Sequence, residues 1–151
     1  MQVRDILAVK GATVISIGPN DTIGAFCRLL REKRIGASIV SSDGRKIEGV
    51  ISERDVAYGL AQYGAELDGM PVSALMTKTV VTCAPTDMIA IVASIMQSRK
   101  IRHIPVEDNG CAAGMVSIRD VLNFRVDDLQ QEQALLSSFV REAARPPQDS
   151  G

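Results

Sequence analysis

Apolar and polar positions along the chain follow one short order that occurs twice. Thr13-Val14-Ile15-Ser16-Ile17 and Thr79-Val80-Val81-Thr82-Cys83 are rich in β-branched residues and predict strands over 14–17 and 80–83. Each run leads to a turn, Pro19-Asn20-Asp21 or Pro85-Thr86-Asp87, whose aspartate is suited to cap a helix. Ile23, Phe26, Leu29 and Leu30, and then Ile89, Val92, Ile95 and Met96, recur at helical spacing and predict helices over 22–33 and 88–99. Strands are expected next at 37–40 and 103–106, and again at 47–51 and 113–116. Between them stand Asp43-Gly44 and Asn109-Gly110, pairs that favour hairpin turns. A second helix is expected from Glu53 and from Ile118. The order is β-α-β-β-α, twice.

The two halves also match residue by residue. Pro19 and Pro85 stand 66 apart, as do Asp21 and Asp87, Ile35 and Ile101, and Val40 and Val106. One deletion in the second copy's turn aligns Gly49-Val-Ile-Ser-Glu-Arg-Asp55 with Gly114-Met-Val-Ser-Ile-Arg-Asp120. Such an ordered series marks an internal repeat, and small sheets of this kind bury one face by sheltering each other. Gly64, Gly69 and Pro71 suit residues 64–72 to a connector. The expected division is a first repeat over 1–66, a second over 67–125, a C-terminal helix over 126–145 and a disordered tail over 146–151. Val126, Leu129, Leu135, Leu136, Phe139 and Val140 give that helix an apolar stripe, expected to pack on the module or on a partner subunit.

Composition narrows the chemistry. The chain has 151 residues, a formal net charge of −1 and 3% aromatic residues without Trp, so Val, Ile, Leu, Ala and Met must build the core. Nucleic-acid binders carry a basic surplus, and single-strand binders add stacking aromatics; neither is present. Nucleic acid is therefore not the expected partner. Cys27, Cys83 and Cys111 are widely spaced and odd in number, which argues against a disulfide framework and for a reducing compartment. Neither a signal segment nor a membrane span is evident, and a cytoplasmic location is the expectation. The single histidine, His103, has no second ligand at metal-binding spacing, so no metal is expected. Phosphate-loop, zinc-protease and hydrolase-elbow motifs are missing, and an enzyme is not expected.

Candidate chemistry gathers at the paired Gly-x-x-Ser-x-Arg-Asp segments, each at a strand-to-helix junction. Asp55 or Asp120 can accept hydrogen bonds from both hydroxyls of a ribose. Ser52 or Ser117, with the free amides of a helix start, can hold phosphate, and Arg54 or Arg119 can pair with it bidentately. Ser-x-x-Asp is also a capping box that closes a helix start unaided. Capping needs neither the Gly nor the Arg that both copies keep, which favours a ligand. His103 can equally be a strand residue beside the core. Lys10 and Lys78 can touch phosphate or be solvated surface lysines.

The doubled unit, the repeated motif and Ile-Arg-His-Ile-Pro-Val over 101–106 resemble a tandem CBS-domain pair, or Bateman module, from about Val3 to Asn123. The similarity extends to small stand-alone bacterial CBS-pair proteins. It implies an α/β (α+β) fold of two β-α-β-β-α repeats related by pseudo-two-fold symmetry, plus the C-terminal helix. It also implies a regulatory module that binds AMP, ATP, NAD or related adenosyl compounds between the repeats. One implied cleft combines Ser52, Arg54 and Asp55 with Thr77, Lys78, Thr79, Arg102 and His103. The other combines Ser117, Arg119 and Asp120 with Gly11, Ala12, Thr13, Gly36 and Ala37. Since Gly36-Ala37 stands where the second repeat has Arg102-His103, the first cleft is expected to hold phosphates more tightly. Three extra residues around Val9–Gly11 distinguish the first repeat. The resemblance further implies a homodimer, with output through an effector protein. The competing reading is a ligand-free homodimeric scaffold in which the Ser-x-x-Asp motifs only cap helices.

Overall fold

The computed structural model describes residues 1–11 and 13–147. Helix α1 spans Val3–Lys10, followed by strand β1 at Ser16–Ile17, helix α2 at Ile23–Lys33, and strands β2 at Ala37–Val40 and β3 at Gly49–Ser52. Helix α3 (Glu53–Tyr63) and two 3₁₀ turns (Gly64–Gly69 and Val72–Ala74) lead into the second half. There, α4 (Ile89–Arg99), β4 (His103–Asp108), β5 (Cys111–Ser117) and α5 (Ile118–Ala143) repeat the order. In the first sheet β1 pairs parallel with β2, which pairs antiparallel with β3; in the second, β4 and β5 form an antiparallel hairpin.

The strand expected over 80–83 contracts to one parallel bridge, Cys83 with Val106. Cys83 gives its amide to the Pro105 carbonyl at 3.0 Å and accepts from the Glu107 amide at 2.8 Å. Asn109 and Gly110 both have positive φ, 51° and 77°, and close the two-residue hairpin their identity suggests. Asp43-Gly44 does not make such a turn. It lies in the longer loop between β2 and β3, where the Asp43 carboxylate accepts the Arg45 and Lys46 amides at 2.8 and 2.9 Å. Those bonds, with Ser41, lower its pKa to about 2.

The helix caps differ by one residue from expectation. Thr22, not Asp21, caps α2 by accepting from the Ala25 amide at 3.1 Å, and Met88 precedes α4 without a side-chain cap bond. Asp21 and Asp87 close the preceding turns instead, accepting the Gly18 and Ala84 amides at 2.8 Å each.

Helix α1 is the element the hydrophobic pattern did not reveal. It lies on the second half: Val3 and Ile6 are buried beside Ile89, Val92, Met96, Ile104 and Val116. The 3₁₀ segment lies correspondingly on the first half, where Leu67 and Val72 join Ile17, Ile23, Phe26, Val40 and Ile51. Backbone bonds repeat this exchange. The Ile89, Val3 and Arg4 amides donate to the Met1, Asp87 and Pro85 carbonyls, as Ile23, Val72 and Ser73 donate to Met70, Asp21 and Pro19. Met1–Val3 thus corresponds to Met70–Val72, 69 residues on, whereas Thr13 corresponds to Thr79, 66 residues on. The three extra residues lie between. Each half completes its core with the segment that precedes the other, and the described residues form two hydrophobic clusters rather than one.

The C-terminal helix is continuous with the second repeat. Helix α5 runs unbroken for 26 residues from its Ser117 cap. Val121 is buried near its start, but Leu122, Val126, Leu129, Leu135, Leu136, Phe139 and Val140 are all exposed, so the stripe does not pack on the module itself.

Candidate functional site

Both Ser-x-x-Asp motifs sit where a strand ends and a helix begins. The Asp55 carboxylate takes the Ser52 amide at 2.8 Å, and the Asp120 carboxylate takes the Ser117 amide at 2.9 Å. The Asp120 amide in turn donates to the Ser117 hydroxyl at 3.2 Å. Capping is therefore real at both positions. In each case the bond falls on Oδ2. The first amide of each helix is also engaged, Glu53 with the Gly36 carbonyl at 2.9 Å and Ile118 with the Arg102 carbonyl at 2.8 Å. The helix starts consequently offer fewer free amides to a phosphate than the motif alone suggests.

The motif glycines have a packing reason. A Cβ on Gly49 would stand 2.7 Å from the Met76 sulfur and 2.9 Å from the Thr77 carbonyl oxygen, and one on Gly114 would stand 2.7 Å from Leu7. Leu7 and Met76 occupy equivalent places in the two exchanged segments. The repeated glycine thus admits the neighbouring segment and is no evidence for a ligand.

Two clefts open between the halves. The first, of about 240 Å³, brings Ser52, Arg54 and Asp55 together with Thr77, Thr79, Arg102 and His103, while Lys78 does not line it. Lys100 and Glu53, not anticipated from sequence, do. The second, of about 630 Å³, brings Ser117, Arg119 and Asp120 together with Gly11, Thr13, Gly36 and Ala37. Ala12 lies outside the described residues, as do residues 148–151 of the expected tail. The second cleft falls within the size range usual for small-molecule sites, roughly 300–1,000 Å³, and the first is smaller.

The expected charge difference between the clefts is not what the geometry gives. Lys10, Arg34, Arg102 and Arg119 all line the second cleft. Arg34 and Lys100 occupy equivalent positions, both left-handed at φ 54°, one in each cleft. Glu53, Arg102 and His103 line both clefts. A Cβ on Gly36 would lie 3.3 Å from the His103 ring and 3.4 Å from Glu53 Oε1. The small residue in one repeat leaves room for the imidazole of the other, so Gly36 and His103 form one arrangement spanning both sites.

Burial holds the His103 pKa below its ordinary value; Glu53 opposes this, and Lys10 and Arg102 reinforce it. Burial raises the Asp120 pKa, but the Ser117 amide and the Lys10 ammonium outweigh it, and the net shift is downward. Lys10 Nζ lies 2.9 Å from Asp120 Oδ2 and 2.9 Å from the Met115 carbonyl oxygen. Cys83 is buried and its pKa is pushed up to about 12, chiefly by desolvation, as befits a small core residue. No metal-holding cluster and no helix long and apolar enough to cross a membrane occur among the described residues.

A family model for the CBS domain matches residues 3–62 and 72–127. A CBS-domain-containing protein of Agrobacterium tumefaciens is 38% identical, with 83% of this chain and 99% of that one covered and a TM-score of 0.79. The CBS domain pair of protein MJ0100, solved with 5′-methylthioadenosine and S-adenosyl-L-methionine, is 25% identical (82% and 98% covered, TM-score 0.74). A CBS domain protein of Pyrobaculum aerophilum, complexed with AMP, is 28% identical (80% and 89% covered, TM-score 0.71).

Proposed function

The chain belongs to the CBS-domain family, and we propose that it is a non-catalytic ligand sensor that binds adenosine compounds in its two inter-repeat clefts. The observation that carries this reading is the placement of Asp55 and Asp120. Each stands at a helix start in a cleft also lined by the other repeat's lead segment, Thr77 and Thr79 for one, Gly11 and Thr13 for the other. A carboxylate there can accept both ribose hydroxyls, and the adjacent arginine can meet phosphate. Related CBS pairs solved with AMP, or with S-adenosylmethionine and methylthioadenosine, support the adenosine part. The ligand classes in this reading are AMP, ATP and NAD. Arg54, Lys100 and Arg102 in the first cleft match Arg119, Arg34 and Arg102 in the second. In this reading the larger volume and the additional Lys10 favour the second as the primary phosphate site, against the ranking drawn from Gly36-Ala37.

The sensing unit in this reading is a cytoplasmic homodimer that signals to an effector protein. Leu122, Val126, Leu129, Gln133, Leu136 and Val140 alternate at spacings of four and three, the heptad seam of paired helices, with one polar position to fix register. The repeat boundaries follow the exchange of segments, the second repeat beginning at Met70 by equivalence with Met1.

The completed capping boxes favour one competing reading, a scaffold that binds no ligand. A thermal-shift series on nucleotide-stripped protein with AMP, ATP, NAD and S-adenosylmethionine separates the two. A ligand held only by the folded state adds about 2.7 kcal/mol at a hundred times its Kd, and the melting temperature climbs with its concentration. A flat series across all four leaves the scaffold.

A further inference from the structure

The two clefts share their motif but differ in what holds the motif aspartate. In the second, Lys10 places its ammonium 2.9 Å from Asp120 Oδ2, the oxygen that also takes the Ser117 amide. It is held at a second point by the Met115 carbonyl, also at 2.9 Å. Asp55 makes no ion pair of this kind among the described residues. Lys10 ends α1, next to the site of the three extra residues, so its presence follows from the local length difference between the repeats. The lysine side chain is 40% exposed and Asp120 17%, so the pair sits at the cleft rim and its strength is modest.

A ribose diol gripping Asp120 with both hydroxyls needs Oδ2 and therefore competes with the ammonium. A neutral nucleoside offers Lys10 nothing in exchange. A sulfonium adenosyl compound brings a further positive charge into a rim already carrying Lys10, Arg34, Arg102 and Arg119. A phosphate ester supplies a new anion for the displaced lysine. We propose that Lys10 is the specificity-determining residue of the second cleft, a displaceable counter-ion of Asp120 that admits phosphorylated adenosine compounds in preference to unphosphorylated or cationic ones. This rests on the second cleft being an adenosine site.

The test is calorimetry of AMP and adenosine on the full chain carrying Asp55→Asn, which confines ribose binding to the second cleft, with and without Lys10→Met. Methionine keeps the stem and removes the charge. The expected result is a crossed change. AMP weakens by about five-fold, adenosine tightens or holds, and the AMP-to-adenosine affinity ratio falls by about five-fold or more. Lys10→Arg restores the parent ratio. Equal changes for both ligands reduce Lys10 to a structural prop and overturn the specificity role alone. Absence of binding by either ligand to the Asp55→Asn protein overturns the adenosine site together with it.

Discussion

His103 is the only histidine, and it lines both clefts, so its titration can be followed as a single imidazole signal by proton NMR. Burial lowers its pKa below 6.5, which means the unfolded chain binds that proton more readily. Stability from the neutral ring is complete above pH 6.5 and is lost as pH falls through the lower folded value. His103→Gln should flatten this acid limb in denaturation measured from pH 7 to 5. A phosphate bound nearby favours the imidazolium, so AMP should move the NMR midpoint upward while adenosine leaves it nearly unchanged. Sequence carried most of these side chains into view, because the repeated Ser, Arg and Asp stand out against their surroundings. It did not show that Arg102 and His103 serve both clefts. That follows from Gly36 meeting the His103 ring across the pseudo-two-fold relation, a contact between residues 67 apart.

Among the elements, β3 shows why the motif begins with glycine. Gly49→Ala would push a methyl into Met76 and the Thr77 carbonyl, where the Val50 and Thr77 backbones exchange bonds at 3.0 and 2.9 Å. Overpacking against backbone should destabilise by about 1–3 kcal/mol, read from the urea midpoint. Cys111→Ser, at an exposed strand start, should leave that midpoint within about 0.5 kcal/mol. Helix α2 was legible because its apolar positions recur at helical spacing. Strands β2, buried at all four positions, and β4, with three buried residues in a row, were legible from β-branched composition and the turns that bound them. Helix α1 was not, since it has eight residues and two buried side chains, and its apolar face is completed only by the other half. The strand expected at 80–83 had the right composition, yet it meets its neighbour only at Cys83. Residue preference announces a strand, but ladder partners decide its length.

At the scale of the whole molecule, exchange of the lead segments and the shared column of Glu53, Arg102 and His103 tie the clefts together. Ligand in one should therefore alter affinity in the other, and the coupling must be reciprocal. The exposed α5 stripe belongs to assembly: sedimentation equilibrium should give a dimer that Leu129→Asp with Leu136→Asp converts to monomer. Adenosine binding in both clefts depends most on the two aspartates acting as ribose acceptors. Isothermal titration of AMP into nucleotide-stripped parent, Asp55→Asn, Asp120→Asn and the double variant tests that directly. We expect two binding events in the parent, one in each single variant and none in the double, with all four proteins melting as folded domains. Unchanged AMP binding in the folded double variant would contradict the assignment and leave Asp55 and Asp120 as helix caps.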